Sequence, residues 1–242
     1  MGDATSGPVS PAVEVRGLIK SFGNNPALRG IDLTVGKGER LSVFGPNGAG
    51  KTTLVKVLST LMKPTSGSIS LNDMDIRSKR VQVRQQVALV SHQTFLYDDL
   101  TVYENLKFYG KMYNVPRLDE RIGEVISWAK LDSRMNDRLG TLSHGMQKRA
   151  SIARAVLHNP SILLLDEPEA GLDPDSGNMI EDAVNDNSRT VVMTSHDLDR
   201  GLELCDRVII LNRGRIEFQS YKSEIDPTGF RQLYNGVTGI EK

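Results

Sequence analysis

The sequence of 242 residues predicts an α/β domain carrying a helical insertion. Three observations carry that expectation. Short β-like segments alternate with helical patterns towards both ends of the chain, whereas the middle is helical. A strand-like run at 41–44 ends in Gly45, and a helical pattern starts at Gly50. A second, wholly apolar run at 162–165 ends in two carboxylates, Asp166 and Glu167, as suits a parallel strand covered on both faces.

Taken in order, strands are expected at 13–16, 31–35, 40–44, 68–71 and 87–90. The alternation Ile31, Leu33, Val35 suits a half-exposed strand. Thr101 followed by Glu104 has the spacing of a capping box, so a helix should run from there to about Met112. Pro116 suits the start of another helix, through Trp128, and a third should span 144–158. Beyond it, strands (161–165, 190–194, 207–211) alternate with helices (174–187, 197–204). The turn Asn212-Arg213-Gly214 then leads to a hairpin partner at 215–219. Residues 1–11, rich in Gly, Ser and Pro, are expected to be a flexible tail. Residues 12–242 should form a single domain, with a helical subdomain at about 94–158 inserted in the α/β core.

Thirty basic side chains balance thirty acidic ones, so no long-range field draws the chain to nucleic acid or anionic lipid, which leaves room only for a local basic patch. Cys205 is the single cysteine, which excludes an intrachain disulfide and suggests a core residue on a helix. No apolar run approaches the ~18 residues that span a bilayer. A role at a membrane would therefore need recruitment by another chain.

Two motifs carry chemistry. Gly45-Pro46-Asn47-Gly48-Ala49-Gly50-Lys51-Thr52-Thr53 fits G-x-x-x-x-G-K-[ST] between a strand and a helix. Its glycines let backbone N–H groups point at phosphates, and the helix N-terminus favours the anion. Lys51 supplies charge for the β- and γ-phosphates of ATP, and Thr52 a hydroxyl for Mg²⁺. Asp166, at the tip of the buried strand, would hold the Mg²⁺ through water. Glu167 would orient or deprotonate the attacking water.

In carrying both motifs, the chain resembles the ATP-binding subunits of ABC transporters over about 13–220. Leu142-Ser143-His144-Gly145-Met146-Gln147 is similar to the signature LSGGQ, with His144 and Met146 as departures from its commonest form. Gly171-Leu172-Asp173 resembles the D-loop, His196 the switch histidine, and Phe22 the aromatic that stacks on adenine. Gln93 resembles the glutamine linking core and helical subdomain, and joins Thr52 and Asp166 in the implied Mg²⁺ set. The fold this implies is a P-loop NTPase core of ABC ATPase type with an antiparallel β subdomain and an inserted α-helical subdomain.

The resemblance also implies ATP hydrolysis by two chains paired head to tail, as a homodimer or with a sister ATPase. Lys51, Gln93, Glu167 and His196 would be catalytic. Ser143, Gly145, Met146 and Asp173 would reach the ATP held by the other chain. The stretch 90–109 and the LSHGM form of the signature resemble the ATPase subunits of haem exporters in cytochrome c maturation. They also resemble the wider class of exporters whose ATPase and membrane parts are separate chains, for drugs, lipids or polysaccharides. In that class the region 94–109 docks a membrane-spanning subunit, with Phe95, Leu96, Tyr97 and Leu100 as apolar anchors, which implies a peripheral position on the cytoplasmic face of the cell membrane. Nucleic-acid ATPases of the superfamily usually carry coiled-coil or zinc insertions. The segment between Lys51 and Leu142 has neither sustained heptads nor a cysteine cluster, so no nucleic-acid partner is expected.

Overall fold

A computed structural model describes residues 10–168 and 173–239. Two sheets organise it. The first pairs β1 (Val13–Phe22), β2 (Asn25–Val35), β4 (Ser66–Leu71) and β5 (Met74–Asp75) in the order β2-β1-β4-β5, antiparallel throughout. The second contains β3 (Arg40–Phe44), β6 (Val87–Val90), β7 (Ile162–Asp166), β8 (Thr190–Thr194), β9 (Arg207–Asn212) and β10 (Arg215–Tyr221). Its order is β10-β9-β3-β8-β7-β6, with only the β9–β10 pair antiparallel.

The parallel strands are apolar on both faces because both are covered. In β7, Ile162 and Leu164 enter a core shared with the antiparallel sheet and with α1 (Lys51–Leu58). Leu163 and Leu165 face the opposite way. They meet α3 (Val102–Met112), α4 (Leu118–Trp128), α5 (His144–Val156) and α6 (Pro174–Val184). This alternation follows from the two-residue period of a strand. A third, smaller cluster joins Phe44 and Leu202 of α7 (Leu198–Glu203) to Phe230 of α8 (Pro227–Thr238).

The capping box at Thr101 forms as expected: its hydroxyl accepts from Glu104 N at 3.1 Å, and Glu104 Oε2 accepts from Thr101 N at 2.8 Å. Other boundaries move. The first strand continues to Phe22 and its partner starts at Asn25, because a turn at 23–24 closes a long hairpin. The helix expected from Pro116 begins at Leu118, after Arg117 adopts a left-handed φ of 46°. The helix expected to reach residue 158 stops at Val156. Among the described residues, β5, α2 (Arg80–Gln86) and α8 have no counterpart among the expected strands and helices. Cys205 is buried as expected but lies beyond the end of α7, not on a helix. The expected tail falls mostly outside the described residues, as do Glu169, Ala170, Gly171 and Leu172 of the acidic and D-loop segments.

Candidate active site

Three neighbouring parallel strands end together. Asp166, the last residue of β7, pairs with Thr194, the last of β8, and Thr194 pairs with Val43 of β3. The carboxyl ends of parallel strands are where open α/β sheets place ligands. The chain leaves β3 at Phe44 and curls through the loop 45–50 into α1. Gly45 has φ 153°, and a Cβ there would lie 2.1 Å from the carbonyl oxygen of Leu211, so no other residue fits that turn. No side chain caps α1, unlike α3, α5, α6, α7 and α8. Its first N–H groups are therefore left for an anion.

Around this loop lies a cleft of about 310 Å³, lined by Ala27, residues 46–53 and Glu167. Lys51 is 5% exposed, and its Nζ donates to the carbonyls of Gly45 (2.7 Å) and Pro46 (3.4 Å). The same Nζ is 3.6 Å from Glu167 Oε1. Asp166 is buried, and its Oδ1 accepts from the hydroxyls of Thr52 (3.1 Å) and Thr194 (2.9 Å). Glu167 sits at φ 48°, and its N–H donates to Thr194 O at 3.2 Å and Thr194 Oγ1 at 3.0 Å. A non-glycine residue held there is a local strain of the sort that marks functional sites. Thr194 thus orients both acids, a role the sequence reading missed. No local pattern marks it, because strand order alone sets it beside Asp166.

The oxygen set suits a small hard cation: one carboxylate and a hydroxyl 3.1 Å away, with room for substrate phosphates. Among the described residues no group of three or more His, Cys, Asp or Glu side chains forms an all-protein metal cage.

Other expected residues do not line this cleft. Phe22 is 50% exposed at the tip of the β1–β2 hairpin, opposite Asn25. The hairpin reaches the cleft through Ala27. Gln93 lies exposed between β6 and α3, and His196 exposed between β8 and α7. Ser143 caps α5, accepting from Met146 N at 3.3 Å, and remains exposed. His144 is exposed at the first helical position, and His92 is exposed too. Asp173 caps α6, accepting from Ser176 N at 2.9 Å. A Cβ on Gly145 would lie 2.7 Å from Asp173 Oδ2, so the first turn of α5 and the start of α6 touch within one chain. Buried Arg149 lies beside the junction, with Nε 4.0 Å from Asp173 and Nη1 3.6 Å from Asp175.

Comparison with known proteins agrees with this geometry. Residues 28–170 match the profile of a family described as ABC transporter. The linearmycin resistance ATP-binding protein LnrL of Bacillus subtilis is 35% identical over 209 residues, covering 84% of this chain and 67% of that protein. The ABC transporter ATP-binding protein NatA of the same organism is 34% identical, covering 82% of this chain and 85% of that protein. A Nod factor export ATP-binding protein I of Burkholderia lata is 34% identical, covering 86% of this chain and 70% of that protein. A solved ATP-binding subunit of an ABC transporter superposes with a TM-score of 0.83 at 27% identity, covering 95% of both chains. A dimeric ATP-binding cassette in a post-hydrolysis state, bound to ADP and Pi, gives 0.77 at 28% identity, covering 87% of this chain and 98% of that one.

Proposed function

The chain belongs to the ABC transporter family as an ATPase subunit, and from that premise we propose how its residues divide the work. The carrying observation is the convergence of Lys51, Thr52, Asp166 and Glu167 at the ends of three parallel strands. ATP enters with its phosphates against the backbone N–H groups of 45–53. The ammonium of Lys51 then exchanges its two loop carbonyls for phosphate oxygens. Thr52, Asp166 and Gln93 would hold Mg²⁺, which would supply neutralising charge at the phosphates. Glu167, anchored through its N–H to Thr194, orients or deprotonates the attacking water, and His196 faces the γ-phosphate side. Phe22 stacks on the adenine.

Ser143, Gly145, Met146 and Asp173 act on the ATP of a second chain, either an identical copy or a sister ATPase. Their supporting observation is that they gather at one place: Ser143 caps α5 and accepts from Met146 N, and Gly145 abuts Asp173. A helix N-terminus aimed at the γ-phosphate from outside stabilises charge as the bond breaks.

A second groove, of about 250 Å³, runs between core and helical part and includes Leu61, Phe95, Tyr109 and Met112. Beside it Tyr97 is 51% exposed and meets Phe108, which is 41% exposed, edge-on at 5.4 Å. This face, including much of 94–109, docks the membrane-spanning subunit, so the protein sits peripherally on the cytoplasmic side of the membrane. Among the described residues no helix is long and apolar enough to cross it. Tyr97 is the best anchor. Phe95 and Leu96 pack partly into the two main cores, so they shape the groove from below. Haem is not the favoured cargo: two of the relatives above bear the names of linearmycin resistance and Nod factor export. They support the wider exporter class over the haem exporters.

The test of the assignment is Glu167→Gln. It should retain ATP binding while turnover falls by roughly 10²–10⁴, with an ATP-bound dimer accumulating in size-exclusion chromatography. Hydrolysis near the parent rate would refute the role of Glu167.

A further inference from the structure

Balanced as the whole chain is, six basic residues stand against two acidic ones between Lys56 and Arg84. The fold gathers five of them on one surface. Thr60, just past α1, takes a left-handed φ of 61° and turns its oxygens towards α2. Its carbonyl accepts from Arg80 Nη2 at 2.8 Å, and its hydroxyl from Arg84 Nε at 2.8 Å. Both guanidinium groups are thus held by neutral oxygens, and their charge stays uncompensated.

Next to them Lys63, Arg77 and Arg80 line a cleft of about 320 Å³ with Thr60, Met62 and Ile76. Lys63, Arg77, Lys79 and Arg84 are exposed. Among the described residues none of the five makes an ion pair, whereas Arg40, Arg207 and Arg231 elsewhere do. The nearby Asp75 is engaged locally, accepting from the backbone N–H of Arg77 (3.0 Å) and Ser78 (2.8 Å) and from the Ser78 hydroxyl. Two large aliphatic side chains flank the cations: Val81, 69% exposed, and Leu61, 51% exposed. Leu61 and Arg84 also belong to the groove assigned above to the membrane subunit. The basic surface is therefore continuous with the face assigned to the membrane subunit.

Resting on that docking assignment, we propose that Lys63, Arg77, Lys79, Arg80 and Arg84 bind the phosphates of anionic lipid headgroups. Leu61 and Val81 settle into the interfacial layer beside them. Cations near an anionic leaflet are attracted in proportion to their number, and exposed aliphatics add interfacial contact. The surface gives the ATPase a direct grip on the bilayer, alongside its contact with the transporter.

Co-sedimentation of the full chain with vesicles tests this. Vesicles of phosphatidylcholine with about one third phosphatidylglycerol should bind the protein at low ionic strength, and pure phosphatidylcholine should not. Lys63, Arg77 and Lys79 make no side-chain hydrogen bonds among the described residues, so their joint replacement by Ala spares the fold, as the unfolding temperature will verify. The triple variant should partition onto anionic vesicles roughly 100-fold less. Equal binding to both vesicle types, undiminished binding by the triple variant, or no binding to anionic vesicles overturns the proposal. Displacement by millimolar inorganic phosphate would mark a free-anion site, and stronger retention by duplex DNA a nucleic-acid surface; each overturns it as well. The vesicles contain no protein, so failure here leaves the groove assignment intact. Conversely, a Tyr97→Asp/Met112→Asp variant that loses the membrane subunit but keeps vesicle binding supports both assignments separately.

Discussion

Phe22 stands half out of the protein at a hairpin tip, with the Lys20 ammonium 5.1 Å from its ring centroid. A ring so placed contributes little to the core and has an open face for a base. Phe22→Ala should weaken ATP binding by about 1–3 kcal/mol, by analogy with base–aromatic stacking, with little change in unfolding temperature. Unchanged affinity together with a lowered unfolding temperature would assign the ring to folding. His158 shows the opposite balance. Its ring stacks on Tyr113 at 4.0 Å, Nε2 faces the carbonyl of Val87 at 3.3 Å, and Nδ1 is buried without a partner. Burial pushes its pKa down to about 4 from 6.5. Between those values the unfolded chain takes up a proton that the folded one refuses, so stability falls as pH drops through the window. The loss is absent above 6.5 and complete below about 4. Urea midpoints across that range should fall less steeply for His158→Phe, which keeps the stack and removes the proton site. An equally steep fall would place the acid sensitivity elsewhere.

At the scale of elements, α7 lies against β3 only because residue 201 is glycine. A Cβ there would come 2.5 Å from Phe44 Cε1, and the Phe44 ring is itself fixed against Phe230 at 5.4 Å. The Gly201 carbonyl also accepts from Ser42 Oγ at 2.7 Å. Gly201→Ala would gain up to about 1 kcal/mol of helix propensity. Overpacking of about 1–3 kcal/mol should outweigh it, giving a lower urea midpoint; a raised midpoint would show that Phe44 can move aside. The same scale explains what could be read from sequence. The buried strands and the capped helices were legible because period, apolar run and cap agreed. α2 was not, since in Arg80–Gln86 only Val83 is buried and seven residues give no helical stripe. α8 carries a cap and an N1 proline, Asp226-Pro227, a signal present but unused. The outer half of β2 was hidden by Pro26 and Gly30, which interrupt alternation without ending the strand. In the site, the loop and the two acids could be read from their spacing. Thr194 could not, because its role arises from strand order, which no local pattern encodes.

For the whole molecule, the decisive question is whether one chain suffices. If Ser143 at the α5 N-terminus serves the ATP of the other chain, hydrolysis per chain should rise with protein concentration as pairs form. Weak pairing is expected when the membrane chains are missing, since they supply effective concentration. Mixing Lys51→Ala with Ser143→Arg should restore activity that neither variant has alone, because one composite site in the mixed pair is intact. Constant activity per chain down to dilutions where only monomer is detected would exclude shared sites.

The contact between Gly145 and Asp173 also bears on how such proteins can be recombined. Residues 142–149 and 173–175 are separated by a strand and a loop in sequence, yet they share one interlocked surface, clamped by Arg149 and by Lys130, whose Nζ reaches Asp175 at 2.8 Å. A hybrid that takes residues 142–149 from one relative and 173–175 from another would join two halves of a single fitted part. The natural crossover points lie outside this pair, so the segment from α5 to the first turn of α6 is the smallest piece that can be exchanged whole.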